Sequence, residues 1–463
     1  MMEPVRPVFW YQGLFLQPHH FQRIDLHGQS LVYPLEKYMQ PYFWGMSRMT
    51  IDENALKDNV FELSIGEFIF QDGTWVSLSE NGKIRPRSFK GFWADMEKPF
   101  KVYIGLRKWD HNDNNVTVVS KESDISMAQS RFICDENQEE IKDLYIKGQV
   151  AQVKLLSYIL KFFWEGEVSD AGNYHLIPIA ILEFNGQDVV LSRDFVAPTV
   201  IVSSSARLSQ IVKGIRELIS SRCRVLEEYK NPKGFQSAEF QSVYLSYFLA
   251  LCTLNRYLPV FQHITETPHV HPWIVYGYIR QFIGELSSFT DRIDAIGKLQ
   301  NGTHLVPQYN HEDIGYCFQQ SHMLIEEILK SFMTGMENII HLVREDRYFR
   351  AKIPVELLDN KNMYYLFIKT SEDKETVVDD VKRVIKTSCE EDMSLLIQRS
   401  LPGLSLVYMP ELPIGLPKRL NAICFEIKLV NQYWQGITMH SNICLHWSNA
   451  PEDAAIEVVI LKP

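Results

Sequence analysis

Between about residues 60 and 200 the apolar positions fall into short runs or alternate with polar ones: VFELSIGEFIF, TWVSLS, KVYIGLRKW, NVTVVS, VKLLSYILKFFW, YHLIPIAILEF and QDVVLS. Turn chemistry separates them, as Asp72-Gly73, Asn81-Gly82 and Asn185-Gly186. Such pairs supply the positive φ that tight hairpins demand, so the pattern predicts an antiparallel β-domain built as a sandwich.

From about residue 205 the apolar spacing changes to three and four. Leu208, Ile211, Val212, Ile215, Leu218 and Ile219 form one stripe, with Arg216, Glu217 and Arg222 facing away, the pattern of an amphipathic helix. A second helix is expected from about Ser237 to Leu258. A third opens at His271-Pro272, with proline at its first position and Ile274, Val275, Tyr278, Ile279, Phe282, Ile283 and Leu286 on one side. A fourth runs from near Asp313 to Gly335, and four such helices imply a bundle. After Gly335 come the strand-like runs NIIHLV, YFRAKIPV and YYLFIKT, a helix over ETVVDDVKRVIK, then LSLVYM, NAICFEIKL, ICLHW and IEVVILK, which predict a small α+β domain. The expected fold is multidomain α+β: a β-sandwich over 1–200, a helical bundle over 201–336 and an α+β domain over 337–463. No internal repeat interrupts this plan.

A chain of 463 residues is long enough for each part to bury its own core. Hydrophobic residues make up 46% and charged residues 22%, an ordinary globular balance. The formal net charge of −10, with no long Lys/Arg run, argues against nucleic acid and anionic lipid as partners. Seven cysteines without a C-x-x-C pair, several in apolar runs, fit free thiols in a reducing compartment. The opening MMEPVRPVFWYQGLF lacks the apolar region of a secretory signal, and no stretch approaches a membrane span, so a cytoplasmic location is expected.

The search for chemistry is mostly negative. Neither G-x-x-x-x-G-K-[ST] nor G-x-G-x-x-G occurs, and the H-E-x-x-H and G-x-S-x-G patterns are absent, so no catalytic residue and no cofactor are expected. His263, His269 and His271 form the densest ligand-like cluster, but without a nearby cysteine they read as loop histidines bonded to backbone, and no metal is expected. His19 and His20 have no nucleophile around them and read as structural. The run Cys389-Glu390-Glu391-Asp392 reads as solvated surface. The positive signal is aromatic: Phe9, Trp10, Tyr11, Phe15 and Phe21, followed by Tyr42, Phe43 and Trp44. Rings this large are costly to expose, and burial in the chain's own core is expected for most of them, a subunit interface for the rest. A ligand-binding β-sandwich and an enzyme with an unfamiliar constellation are the rival readings.

Three separated stretches resemble the TssK (ImpJ/VasE) family of type VI secretion baseplate subunits: VFWYQGLFLQPHHFQ at 8–22, HPWIVYGYIRQFIGELSSF at 271–289, and the segment 401–447 from LPGLSLVYM to ICLHW. PYFWGMSRM at 41–49 and FQDGTWV at 70–76 add to them, with Gln71 where that family usually has proline and Gln12 where it often has an acid. The resemblance implies a homotrimer with a shoulder similar to siphophage receptor-binding proteins, a helical stalk and a mobile C-terminal head. It implies docking of the N-terminal part on a TssF/TssG wedge, and contact of the head with the cytoplasmic parts of TssL and TssM, without direct membrane insertion. Gly13, Leu14, Phe15, Leu16, Gln17, Pro18, His19 and Phe21 are the candidate partner-binding residues. Gly13 is expected to serve a backbone conformation or a close approach. His271, Pro272, Tyr276, Gly284, Glu285 and Leu286 mark the bundle motif, and Trp434, Ile437 and Trp447 mark the head.

Overall fold

The structure is a computed structural model and describes residues 5–121, 125–227, 242–267, 269–333, 339–412, 416, 422–429 and 432–461. The expected start of the second long helix at Ser237, the end of the fourth at Gly335 and the boundary at 336 lie outside these residues. The chain is a mixed α/β protein with several sheets. It divides into two compact units, Met1–Arg216 with Val260–Gly284 and Arg292–Leu324, and Glu217–Pro259 with Glu285–Asp291 and Ile325–Pro463.

In the first unit, helix α1 spans Pro18–Met39 and a short α2 spans Glu53–Lys57, with the Asp52 carboxylate accepting from the Asn54 N–H at its start. A three-stranded sheet places Leu63–Ile69 between Gly45–Ile51 and Trp75–Ser77. A larger sheet runs Val189–Leu191, Tyr174–Phe184, Phe100–Arg107, Leu156–Trp164, Phe132–Asp135, Val116–Val119, and Gly82–Lys83 joins it along Leu156–Trp164. Both sheets feed one core in which Phe61, Phe68 and Val76 meet Val102, Ile104, Phe162 and Trp164. Each fully buried ring of this kind contributes roughly 2–3 kcal/mol. Tyr174–Phe184 carries Pro178, which has no N–H for the ladder, and the register shifts between Pro178 and Ala180 to absorb it.

Several expectations need correction here. The sheet is not wholly antiparallel: Val116–Val119 runs parallel to Phe132–Asp135, and Gly82–Lys83 parallel to Leu156–Trp164. Gly73 and Gly186 take positive φ (84° and 96°), but Gly82 does not, because it enters a strand instead of a two-residue turn. VKLLSYILKFFW supplies one strand, Leu156–Trp164, and its first residue, Val153, ends a preceding strand, Val150–Val153, which pairs with Glu139–Lys142 in a separate hairpin that the sequence reading did not include.

Four long helices follow: α3 (Ala206–Glu227), α4 (Ser242–Glu266), α5 (Pro272–Leu286) and α6 (Ile314–Met333). Leu208, Ile211, Val212, Ile215 and Ile219 of α3 are buried as spaced. On α5 the buried set is Val275, Tyr276, Ile279, Phe282, Ile283 and Leu286, whereas Ile274 and Tyr278, assigned to that stripe by sequence, are exposed.

The second unit holds an eight-stranded antiparallel sheet in the order Lys386–Ser388, Asn442–His446, Tyr348–Lys352, Ile339–Glu345, Ala455–Leu461, Met363–Lys369, Ala422–Ile427, Leu406–Tyr408. Helices α7 (Lys374–Arg383), α8 (Glu390–Gln398) and α9 (Gln432–His440) accompany it. The acidic run read as plain surface opens α8: Glu390, Glu391 and Asp392 fill its first turn, where the helix dipole favours negative charge, and Cys389 is buried at the cap.

Candidate partner-binding surface

The N-terminal arm is built by local rules. The Leu14 N–H donates to the Tyr11 carbonyl at 3.2 Å, and Gly13 closes this turn with φ +87°, a conformation that L side chains rarely adopt. Among the described residues nothing lies within 4 Å of the position of a Gly13 Cβ. Pro18 then starts α1 where its missing N–H costs nothing, and the Gln17 N–H donates to His20 Nδ1 at 3.1 Å. His27 Nδ1 donates to the Val5 carbonyl at 2.6 Å, which ties the start of the arm back to the helix.

The aromatic side chains of this arm face outward. Phe9 and Phe15 are 81% and 79% exposed, and Trp10, Tyr11, Leu16 and Phe21 are about half exposed or more. The expectation of core burial is overturned for these rings. Among the described residues no sheet or helix layer covers these rings, and Phe9 and Tyr11 stack on each other at 5.9 Å. Leu14 is half-buried, while Gln17, Pro18 and His19 are exposed.

Helix α1 continues this surface, and sequence reasoning missed it. Phe21, Ile24, Gly28, Leu31, Leu35 and Tyr38 recur at alternating intervals of three and four, the spacing of a helix seam that packs on another helix. All but the glycine are large side chains left exposed. The 3–4 spacing after a Pro at the first helical position was the available signal, and the internal Pro34 obscured it.

At the base of the arm a clasp of polar contacts holds residues 40–44. His271 Nδ1 accepts from the Trp273 N–H and from Gln40 Nε2, at 3.1 and 3.2 Å, which leaves its Nε2 to donate to the Tyr42 carbonyl at 3.1 Å. His311 Nε2 donates to the Trp44 carbonyl at 2.7 Å, and the Tyr309 hydroxyl donates to its Nδ1 at 2.8 Å. A backbone N–H can only donate and a carbonyl only accept, so His271 is the neutral Nε2–H tautomer, and the same bonds suit neutral His311. Burial lowers both pKa values, that of His311 to about 4. Of the histidines grouped by sequence, His263 and His269 are exposed and apart in role from buried His271.

The remaining motif residues are internal. The Tyr276 hydroxyl donates to the Pro307 carbonyl at 2.6 Å within an aromatic cluster with Tyr309 and Phe318. Pro272 and Leu286 are buried, and Gly284 lets Ala295 approach closely. Glu285 accepts from Arg256 at 2.6 Å and from the Tyr257 hydroxyl at 3.1 Å. In the second unit Trp434, Ile437 and Trp447 all lie in the core, with Trp447 Nε1 donating to Asp380 at 2.9 Å.

Buried polar groups fasten the chain internally, while an apolar arm and helix seam are turned outward. The match to the family of bacterial type VI secretion proteins described by EvfL, ImpJ and VasE extends over residues 20–461, and the chain belongs to that family. It is similar to the type VI secretion system baseplate component TssK1 of Pseudomonas aeruginosa PAO1, 22% identical over 446 residues that cover 95% of each chain. A crystal structure of TssK shares its fold with a TM-score of 0.60 at 20% identity, over 99% of this chain and 100% of that one. A cryo-electron microscopy structure of a TssK-TssF-TssG baseplate subcomplex contains a chain with a TM-score of 0.60 at 18% identity, over 71% of this chain and 99% of that one. No helix among the described residues is long and apolar enough to cross a membrane.

Proposed function

We propose that this protein is a structural subunit of a type VI secretion baseplate, a cytoplasmic homotrimer that links a TssF/TssG wedge to the TssL and TssM parts of the membrane complex without catalysing a reaction. The observation that carries this reading is the continuous outward apolar surface from Phe9 through the α1 seam to Tyr38. Patches of this kind on a soluble chain mark protein interfaces. The wedge is its assigned partner because the structurally similar TssK is found in a subcomplex with TssF and TssG. Trp273, Ile274 and Tyr278, on the exposed side of α5, supply an apolar face suited to trimer packing. The three-part plan with boundaries near 200 and 336 belongs to the same reading, with a phage-like shoulder, a stalk and a C-terminal head that meets the envelope components.

The test is co-purification of Phe15→Ala and Leu31→Asp/Leu35→Asp variants with the wedge subunits. Both variants alter exposed positions, so melting temperature and oligomeric mass are expected to stay unchanged while wedge capture drops by about tenfold or more. Undiminished capture by folded variants removes the arm from the interface, and a monomeric wild type in light scattering removes the trimer.

A further inference from the structure

The outer face of the larger sheet in the first unit carries a cavity of about 580 Å³, within the size range of small-ligand sites. Its floor follows from strand alternation. Along Leu156–Trp164, Leu160 and Phe162 enter the core, so Lys161 and Phe163 point to the opposite face. Lys161 sits across from Gly105, where the Phe163 ring occupies the space a Cβ would need, 2.6 Å from its Cε2. Arg85, Arg87, Glu167, Asp170 and Tyr174 are among the residues that wall it around Phe163.

The charges do not balance locally. Arg87 is already engaged: it forms a two-pronged pair with Glu167, at 2.7 and 2.5 Å, and donates to the Phe162 carbonyl at 2.7 Å. That pairing uses Glu167, one of the two carboxylates that line the cavity; the other, Asp170, is solvent-exposed. The half-buried Lys161 ammonium has no hydrogen bond or ion pair among the described residues. Burial, and then the guanidinium groups of Arg107 and Arg87, push its pKa below the ordinary lysine value, and no carboxylate offsets them. A cation held against an apolar wall and beside other cations is costly for the fold alone.

We propose that this cavity is an oxyanion-binding site, in which Lys161 receives a carboxylate or phosphate group and the Phe163 and Tyr174 rings seat any apolar body attached to it. The net charge of −10 does not attract anions to this protein in general, so the attraction is local to these side chains. An acidic peptide segment and a free inorganic anion are the two sources of that chemistry.

The experiment measures the melting temperature of the full chain with inorganic phosphate, with an acetylated and amidated Glu-Tyr dipeptide, and with sodium chloride at matched ionic strength. Wild type is expected to melt higher with at least one of the two probes than with chloride, because a ligand that binds only the folded state stabilises it. A shift with phosphate identifies a free anion, and a shift with the dipeptide alone identifies an acidic peptide. Lys161→Met is expected to lose that shift, with affinity down about tenfold or more, while melting above wild type when no anion is present. Lys147→Met, on an exposed turn, keeps the shift. The same probe response in wild type and Lys161→Met, no response in wild type, or a Lys161→Met chain that melts lower or fails to fold overturns the proposal.

Discussion

The imidazoles of His271 and His311 lie face to face, 5.7 Å between centroids and 8° from parallel, and each donates from Nε2 to a carbonyl of one short connector, at Tyr42 and Trp44. The connector joins the exposed arm to the first strand, and Tyr42 holds a positive φ of 58° within it. Two neutral rings thus secure the strained root of the exposed arm. Two positive rings at this spacing, out of water, would repel each other.

Acid is therefore expected to weaken the first unit before the carboxylates titrate. Burial sets the folded pKa of His311 at about 4, below the ordinary histidine value of 6.5, with His271 shifted in the same direction. The folded state refuses protons that the unfolded chain accepts. The stability is fully present above about pH 6.5 and declines as pH falls toward 4, by about 2.5 kcal/mol from His311 at about pH 4.5. Urea unfolding between about pH 7 and 4.5 measures this loss. His311→Gln is expected to start less stable at neutral pH and to show a flatter profile, and an unchanged slope in that variant would assign the acid sensitivity elsewhere.

A buried ion pair makes the same demand on pH, but in a lower window. Arg131 donates to the Asp72 carboxylate at 3.0 Å and to the Thr74 hydroxyl at 2.6 Å, and His175 Nε2 lies 3.4 Å from the same carboxylate. Burial by itself would raise the Asp72 pKa, but the bond from His175 and the charge of Arg131 overcome it and hold the carboxyl well below the usual range. The folded pKa is depressed, so this contribution is complete above the ordinary value of 3.8 and is lost only as pH falls below it. Asp72→Asn leaves the Arg131 guanidinium, 3% exposed, without its counter-charge, and a loss of about 3–5 kcal/mol is expected at neutral pH. Thermal unfolding within 1 kcal/mol of wild type, roughly the limit of a surface change, would show that the pair does not hold this turn.

What the sequence could show depended on where each element's neighbours came from. IEVVILK and YYLFIKT read as strands because both are continuous apolar runs bounded by turns, and they became adjacent central strands, Ala455–Leu461 and Met363–Lys369. Helix α1 escaped although its apolar seam has the 3–4 spacing, because Pro34 sits inside it. Phe15 and its neighbours were misjudged because the cost of exposing a ring says that it must be covered, not by which chain. Helix α9 was hidden by its short span and by Gly436, which a Cβ would push within 2.9 Å of the Cys389 sulfur. The clasp could not be foreseen either, because His311 meets Trp44 across 267 positions and spacing along the chain carries no trace of that contact.

The two glycines of α5, seven residues apart on one helix, should respond to the same substitution with opposite signs. At Gly277 a Cβ would meet nothing within 4 Å, so Gly277→Ala removes only the entropic cost of glycine in a helix interior and is expected to stabilise by about 0.5–1 kcal/mol. At Gly284 a Cβ would stand 2.9 Å from the Ala295 carbonyl oxygen, a backbone atom that moves only with its loop. The same helix-propensity gain is available there, but overpacking costs about 1–3 kcal/mol, and Gly284→Ala is expected to end about 1–2 kcal/mol less stable than wild type. Equilibrium unfolding of both variants under one condition separates the cases, because propensity is common to them and only the Ala295 contact differs. Equal stabilisation of the two would mean that the loop carrying Ala295 yields freely and that Gly284 is not required for the close approach.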